Sequence, residues 1–303
     1  MGTLSADIQP LPLQRFGWRR ILERAAATML ASAIFSTQVP AAELPAYDSL
    51  PDWSGTWSRR GGTVFDRSSW TLNGNPASPT DPGAAVDDVN TRAHPPYTAE
   101  YEAIYEQHLA LRDKGQFADP LTSCIAHGFP RIFNALAPVE FVVRPEQVWI
   151  LAEHTRATMR IFTDGSALPP EEERWHNLFG YSVGHWEGDT LVFTTVALKG
   201  WRDHDSVLDR SGLVLSDQAT AKTRIHQVQE ANRNGAMEDL LLVEITLEDP
   251  LALAKPWVVE KRFYKDLPGT RIFDYECNEN NRAIVDDQGR SLILDADGNP
   301  INF

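Results

Sequence analysis

TAKTRIHQVQEANRNGAMEDLLLVEITLE, residues 220–248, carries the pattern from which the fold is read. In its second half Leu241, Val243, Ile245 and Leu247 alternate with Leu242, Glu244, Thr246 and Glu248. A period of two puts one set on each face of an extended strand. Asn234-Gly235 sits between this run and Thr220–Ala231, so the whole stretch reads as a β-hairpin with its reversal at the glycine. Working toward the N-terminus, Tyr181–Trp186 and Leu191–Val196 flank Glu187-Gly188-Asp189 as a second hairpin, and Val148–Thr163 reads as a long strand ending at Asp164-Gly165. Toward the C-terminus, Trp257–Lys265 and Thr270–Asn278 repeat the rhythm around Pro268-Gly269. The tail from Asp286 to Phe303 reads as turns around one short strand.

Helical spacing stands out in one place. Thr98 caps a run from Ala99 to Lys114 in which Tyr101, Ile104, Tyr105, His108, Leu109 and Leu111 recur on one face, and Gly115 ends it. One helix followed by consecutive antiparallel strands makes the chain mainly β. Such a sheet must protect its edges, and closure into an up-and-down barrel does so. A two-sheet β-sandwich is the alternative, since periodicity does not separate the two closures.

The first forty-odd residues read as an export signal. Arg15, Arg19, Arg20 and Arg24 form a basic front, Ala25–Phe35 is apolar, and Val39-Pro40-Ala41 offers small residues for cleavage. The apolar run falls short of the roughly 20 residues that span a bilayer. The expected organisation is a signal peptide over residues 1–42 and a single domain over 43–303, whose part 43–120 is irregular and helical. The destination is the periplasm, by the Sec or the twin-arginine route, the latter suggested by Arg19-Arg20.

The formal net charge is -14; four leader arginines against Asp7 and Glu23 contribute +2, so the mature chain stands near -16. Such a surface repels phosphate backbones and anionic lipid, which argues against nucleic-acid partners and electrostatic membrane docking. A small hydrophobic molecule is the partner the composition favours; the oligomeric state is left open. The chain has 2 cysteines, Cys124 and Cys277, and in an oxidising compartment they are a candidate disulfide.

Cys124-Ile125-Ala126-His127-Gly128-Phe129-Pro130-Arg131, Gly180-Tyr181-Ser182-Val183-Gly184-His185-Trp186-Glu187-Gly188-Asp189-Thr190-Leu191-Val192, Glu248-Asp249-Pro250 with Lys255-Pro256-Trp257, and Glu276-Cys277-Asn278-Glu279-Asn280 resemble a group of exported bacterial proteins of largely unassigned function. Gly55-Thr56-Trp57 resembles the first-strand glycine and tryptophan of lipocalin-like barrels. The resemblance implies a lipocalin-like barrel around a small hydrophobic ligand, and it implies no particular reaction.

Histidines are the candidate proton carriers, because an imidazole titrates near neutrality. His154 follows Glu153 in the expected long strand, where neighbours face opposite sides. His185 shares a strand face with Tyr181, so the two offer an acid and a base on one wall. His127 and Arg131 lie in the cysteine-bearing segment. The expected catalytic residues are therefore His127, His154, Tyr181 and His185, with Arg131, Arg160 and His204 binding the ligand. No nucleophile elbow, zinc-binding helix, P-loop or dinucleotide fingerprint is present, so no cofactor is expected. The spacing of His154, His176, His185 and His204 matches no metal-ligand pattern, and no metal is expected. These features point to cofactor-independent acid–base chemistry of the dehydratase, hydratase, isomerase or cyclase type, a lyase or isomerase. The alternative is a non-catalytic carrier.

Overall fold

The computed structural model describes residues 44–61, 64–72, 75–76, 91–116, 119–154, 157–201, 206–232, 234–277, 283–285, 291–294 and 297–300. The expected signal peptide lies outside them. Its central feature is a closed barrel of nine strands, which excludes the sandwich. In chain order these are β1 (Thr56–Arg59), β5 (Val139–Val143), β6 (Gln147–Ala152), β7 (Ala157–Phe162), β8 (Tyr181–Glu187), β9 (Thr190–Val196), β10 (Thr220–Ala231), β11 (Met237–Glu248) and β12 (Trp257–Lys265). Around the ring, β5 to β12 follow chain order and β1 closes the gap between β12 and β5. An odd ring cannot alternate direction throughout. The one parallel contact falls between β7 and β8, at Phe162 and Val183, and every other neighbouring pair is antiparallel.

The alternation seen in the sequence becomes the inner and outer faces of the wall. Trp57 pairs with Val139, Phe141 with Ile150, Ile150 with Met159, Thr223 with Ile245, and Ile245 with Val259, all inward and buried. Each large apolar side chain so buried contributes about 1.5–3 kcal/mol. Side chains from outside the wall enter at both ends. Trp53 packs on Phe141 and Trp186 at one end, and Phe129 and Phe133 pack on Phe193 and Phe263.

Two strands differ from the sequence pattern. Val148–Thr163 is not one strand but β6 and β7, folded back on each other with Ala152 paired to Ala157. The buried positions change parity across the reversal, from 148, 150 and 152 to 157, 159 and 161, and no glycine or proline marks the turn. Thr270–Asn278 is not a strand: over Thr270–Glu276 it makes no ladder and crosses the outside of the barrel toward Cys277. The tail contributes β13 (Ala283–Val285) paired with β14 (Ser291–Ile293), and a further small sheet orders β3 (Asn75–Pro76), β2 (Trp70–Leu72) and β4 (Thr91–Ala93).

Helix α1 (Ala99–Arg112) ends two residues short of the expected Lys114. It caps the barrel end that carries the β6–β7, β9–β10 and β11–β12 connections. Thr98 N–H donates to Ala252 O at 2.8 Å, the Tyr97 hydroxyl donates to Val214 O at 2.7 Å, and His108 Nδ1 meets Gly212 O at 2.6 Å. Asp249 pins the same end by accepting from the Ser216 N–H and hydroxyl and from Leu251 and Ala252 N–H. Among the described residues no helix is long and apolar enough to cross a membrane.

Candidate functional site

At the capped end, residues 119–135 thread between the barrel wall and the β9–β10 connection. Asp119 opens this segment by capping a 3-10 turn, Pro120–Ser123, through the Leu121 N–H at 3.0 Å. Its carboxylate also accepts both ends of the Arg131 guanidinium, Nη1 on Oδ1 and Nη2 on Oδ2, each at 2.8 Å. Both side chains are buried, so the pair stands on geometry that satisfies two hydrogen bonds at once. Burial pushes the Asp119 carboxyl up, but the Arg131 hydrogen bonds and charge together with the Leu121 N–H hold it below the ordinary range. Between the partners, Gly128 has φ +66° and approaches Leu178 so closely that a Cβ would lie 2.6 Å from the Leu178 carbonyl oxygen. Only glycine fits there. The Phe129 N–H bonds that same oxygen at 2.7 Å and seats the loop.

This framework presents His127, which is 5% exposed, edge-on to His154 with ring centroids 4.9 Å apart. His154 lies in the reversal just after β6 and is half-buried. Tyr275 also packs on it, nearly parallel at 17° with centroids 5.3 Å apart. Tyr275 belongs to the crossing segment, which the Phe273 N–H fastens to Glu153 Oε2 at 2.9 Å and which ends at Cys277, whose sulfur lies 2.01 Å from that of Cys124. Three rings from three separate segments thus form one stack.

Burial pushes His127 down to about 3, with the nearby Arg131 charge adding to the effect. Burial, then Arg131, also pushes His154 below its ordinary value, against the opposing pull of Asp119 and Glu153. Both imidazoles are therefore neutral at neutral pH. A neutral imidazole can accept a proton, and of the two His154 is the more exposed.

The other expected residues are placed apart from this stack. Ser182, Gly184 and Trp186 take the inward positions of β8, so Tyr181 and His185 lie on the outer face, as their shared parity requires. His185 meets Glu187 Oε1 at 3.2 Å in solvent, and Tyr181 packs its ring edge-on to the exposed Trp175. Arg160 is exposed on the outside of β7. His204 lies outside the described residues. Arg131 is present at the stack, but as the partner of Asp119, with both carboxylate oxygens engaged.

Sequence reading missed Asp119, Tyr275 and Lys261. Lys261 points into the barrel from β12, paired with Val243, and its ammonium donates to Val64 O, Phe65 O and Asn134 Oδ1. Burial pulls it down to about 7, with Arg59 acting the same way and Asp209 and Asp66 opposing. Its signal was available: it occupies the same parity as Trp257, Val259 and Phe263. Asp119 and Tyr275 carried no such signal, because they lie in irregular segments whose partners are far along the chain. Among the described residues no three His, Cys, Asp or Glu side chains converge as a metal set. Compared with known protein families, curated proteins and solved structures, the chain matches none.

Proposed function

We propose that this is an exported, periplasmic enzyme that carries out cofactor-independent acid–base chemistry, of the lyase or isomerase type, on a small hydrophobic molecule at the rim of the capped barrel end. The observation that carries the reading is the ring stack of His127, His154 and Tyr275 above the buried Arg131–Asp119 pair. His154 is the proton acceptor. It takes a proton from the bound molecule and, as imidazolium, returns it to another atom of the same molecule or to its departing oxygen. His127 holds the His154 ring from beneath, and burial, with the Arg131 charge adding to it, keeps both imidazoles neutral until the substrate arrives. Exposed aromatic surface at Phe273, 73% accessible, and Tyr275, 44%, provides the apolar contact a neutral ligand needs in so acidic a protein.

The same aromatic rim supports a second reading, a carrier that binds without turnover. One experiment separates the two. Protein exported into its own periplasm is purified, its small-molecule extract is identified by mass spectrometry, and that compound is offered to wild type and His154→Gln. Loss of about 10²–10⁴ in turnover with an unchanged circular dichroism spectrum supports the enzyme. A compound that binds and leaves unaltered supports the carrier, and full turnover by His154→Gln ends the assignment of His154.

A further inference from the structure

The ring stack is built from segments that no β-ladder joins. His127 lies three residues after Cys124, Tyr275 lies two before Cys277, and the His154 ring contacts both, with centroids at 4.9 and 5.3 Å. The segment 270–276 has no strand partner. On the His154 side the Phe273 N–H bonds Glu153 Oε2, an exposed bond, and Phe273 itself is 73% exposed. At the far end Cys277 is joined to Cys124 across 153 residues of sequence. Neither cysteine lies in a barrel strand.

We propose that the Cys124–Cys277 bond is the clasp of this site: oxidation draws Tyr275 over His154 and completes the stack, and reduction releases that cover while the barrel stays folded. This rests on the function proposed above for its meaning, since it makes the site active only in an oxidising compartment. The chemistry balances with a dithiol as co-reactant. The dithiol gives two electrons and two protons to the sulfur pair, which becomes two thiols, and closes into its own disulfide. Burial is the first cause of the low His154 value, so loss of the Tyr275 cover moves that value up. His127, 5% exposed beneath it, keeps its surroundings.

The test follows His154 directly. Histidine ring resonances of the full chain are titrated by NMR in the oxidised protein and after dithiothreitol, with His154→Gln used to assign the peak. The expected result is an upward shift of the His154 midpoint on reduction, faster hydrogen exchange at the Phe273 and Tyr275 amides by about tenfold, and unchanged exchange in β10 and β11. Tyr275→Ala, which leaves both cysteines intact, reproduces the His154 shift in the oxidised protein. An unmoved His154 midpoint in the reduced protein overturns the clasp, as does exchange that quickens through the barrel strands as well. None of these signals needs turnover. If His154 shifts as stated while His154→Gln keeps full activity, the clasp stands and the enzymatic reading falls; if activity needs His154 but reduction does not move it, the reverse holds.

Discussion

Two histidines, His127 and His185, stand in motifs of similar appearance, and the fold treats them in opposite ways. His185 occupies the outer face of a regular strand with 63% of its side chain exposed, beside Glu187 and Arg224 in water. His127 occupies an irregular loop and is 5% exposed, next to a second imidazole and above a desolvated ion pair. Strand regularity places a side chain reliably, but half of those places face solvent. Irregular segments that return onto a barrel end bring distant polar groups together out of water, where each charge acts strongly. The difference makes the barrel end, and not the outer wall, the place where desolvated polar groups gather.

The largest expected effect comes from breaking the ion pair under that end. Arg131→Met strands the buried Asp119 carboxylate and Asp119→Leu strands the guanidinium, and each is expected to cost about 3–5 kcal/mol in urea unfolding. Arg131→Met/Asp119→Leu removes both charges at once and is expected to cost less than either single change. If the single changes are as mild as substitutions on the outer wall, the contrast between the two regions is not one of desolvation.

Next in size is the pH dependence of the two buried bases. Burial pushes His127 down to about 3 in the folded chain from an ordinary 6.5. Between those values the unfolded chain holds a proton that the folded chain refuses, so stability falls as pH drops through this window, by at most about 1.4 kcal/mol per unit. His127→Asn is expected to flatten that slope. Lys261 works in the alkaline window, from about 7 folded to 10.5 unfolded. Here too the unfolded chain binds the extra proton, so its contribution to stability rises with pH from 7 to 10.5. Lys261→Met is expected to remove that rise while leaving the acid limb unchanged. Chemical unfolding across the pH range, wild type against each variant, reads both slopes.

How far the sequence anticipates these regions follows the same division. The hairpins 181–196 and 220–248 and the helix from Ala99 are legible because local periodicity and turn chemistry determine them. The β6–β7 reversal escapes because no glycine or proline stands between Ala152 and Ala157, and its one trace is the shift of the apolar set from Val148, Ile150 and Ala152 to the opposite parity at Ala157, Met159 and Ile161. His127 and His154 are legible as residue types, and their meeting is not, because it depends on a loop seated by Gly128 on Leu178 and a segment tied at Cys277. Parity groups Tyr181 with His185 correctly, yet it is silent on which side of the sheet becomes the interior. That choice is made by Ser182, Gly184 and Trp186 facing Thr195, Phe193 and Leu191.

The smallest expected effect belongs to the outer pair, and it is the one that tests the comparison from the other side. Glu187 sits below the ordinary carboxylate value chiefly through its hydrogen bond with Arg224 and secondarily through His185, in full contact with solvent. Ion pairs in water are screened and give back in side-chain entropy most of what they gain. His185→Ala and Tyr181→Phe should therefore leave both the urea midpoint and turnover of the co-purified compound at the wild-type level. A drop of tenfold or more in turnover with either variant would move the site onto the β8 outer face and leave the ring stack as a structural knot. Retained turnover there, together with its loss in His154→Gln, would confine the chemistry to the end where three segments of the chain converge.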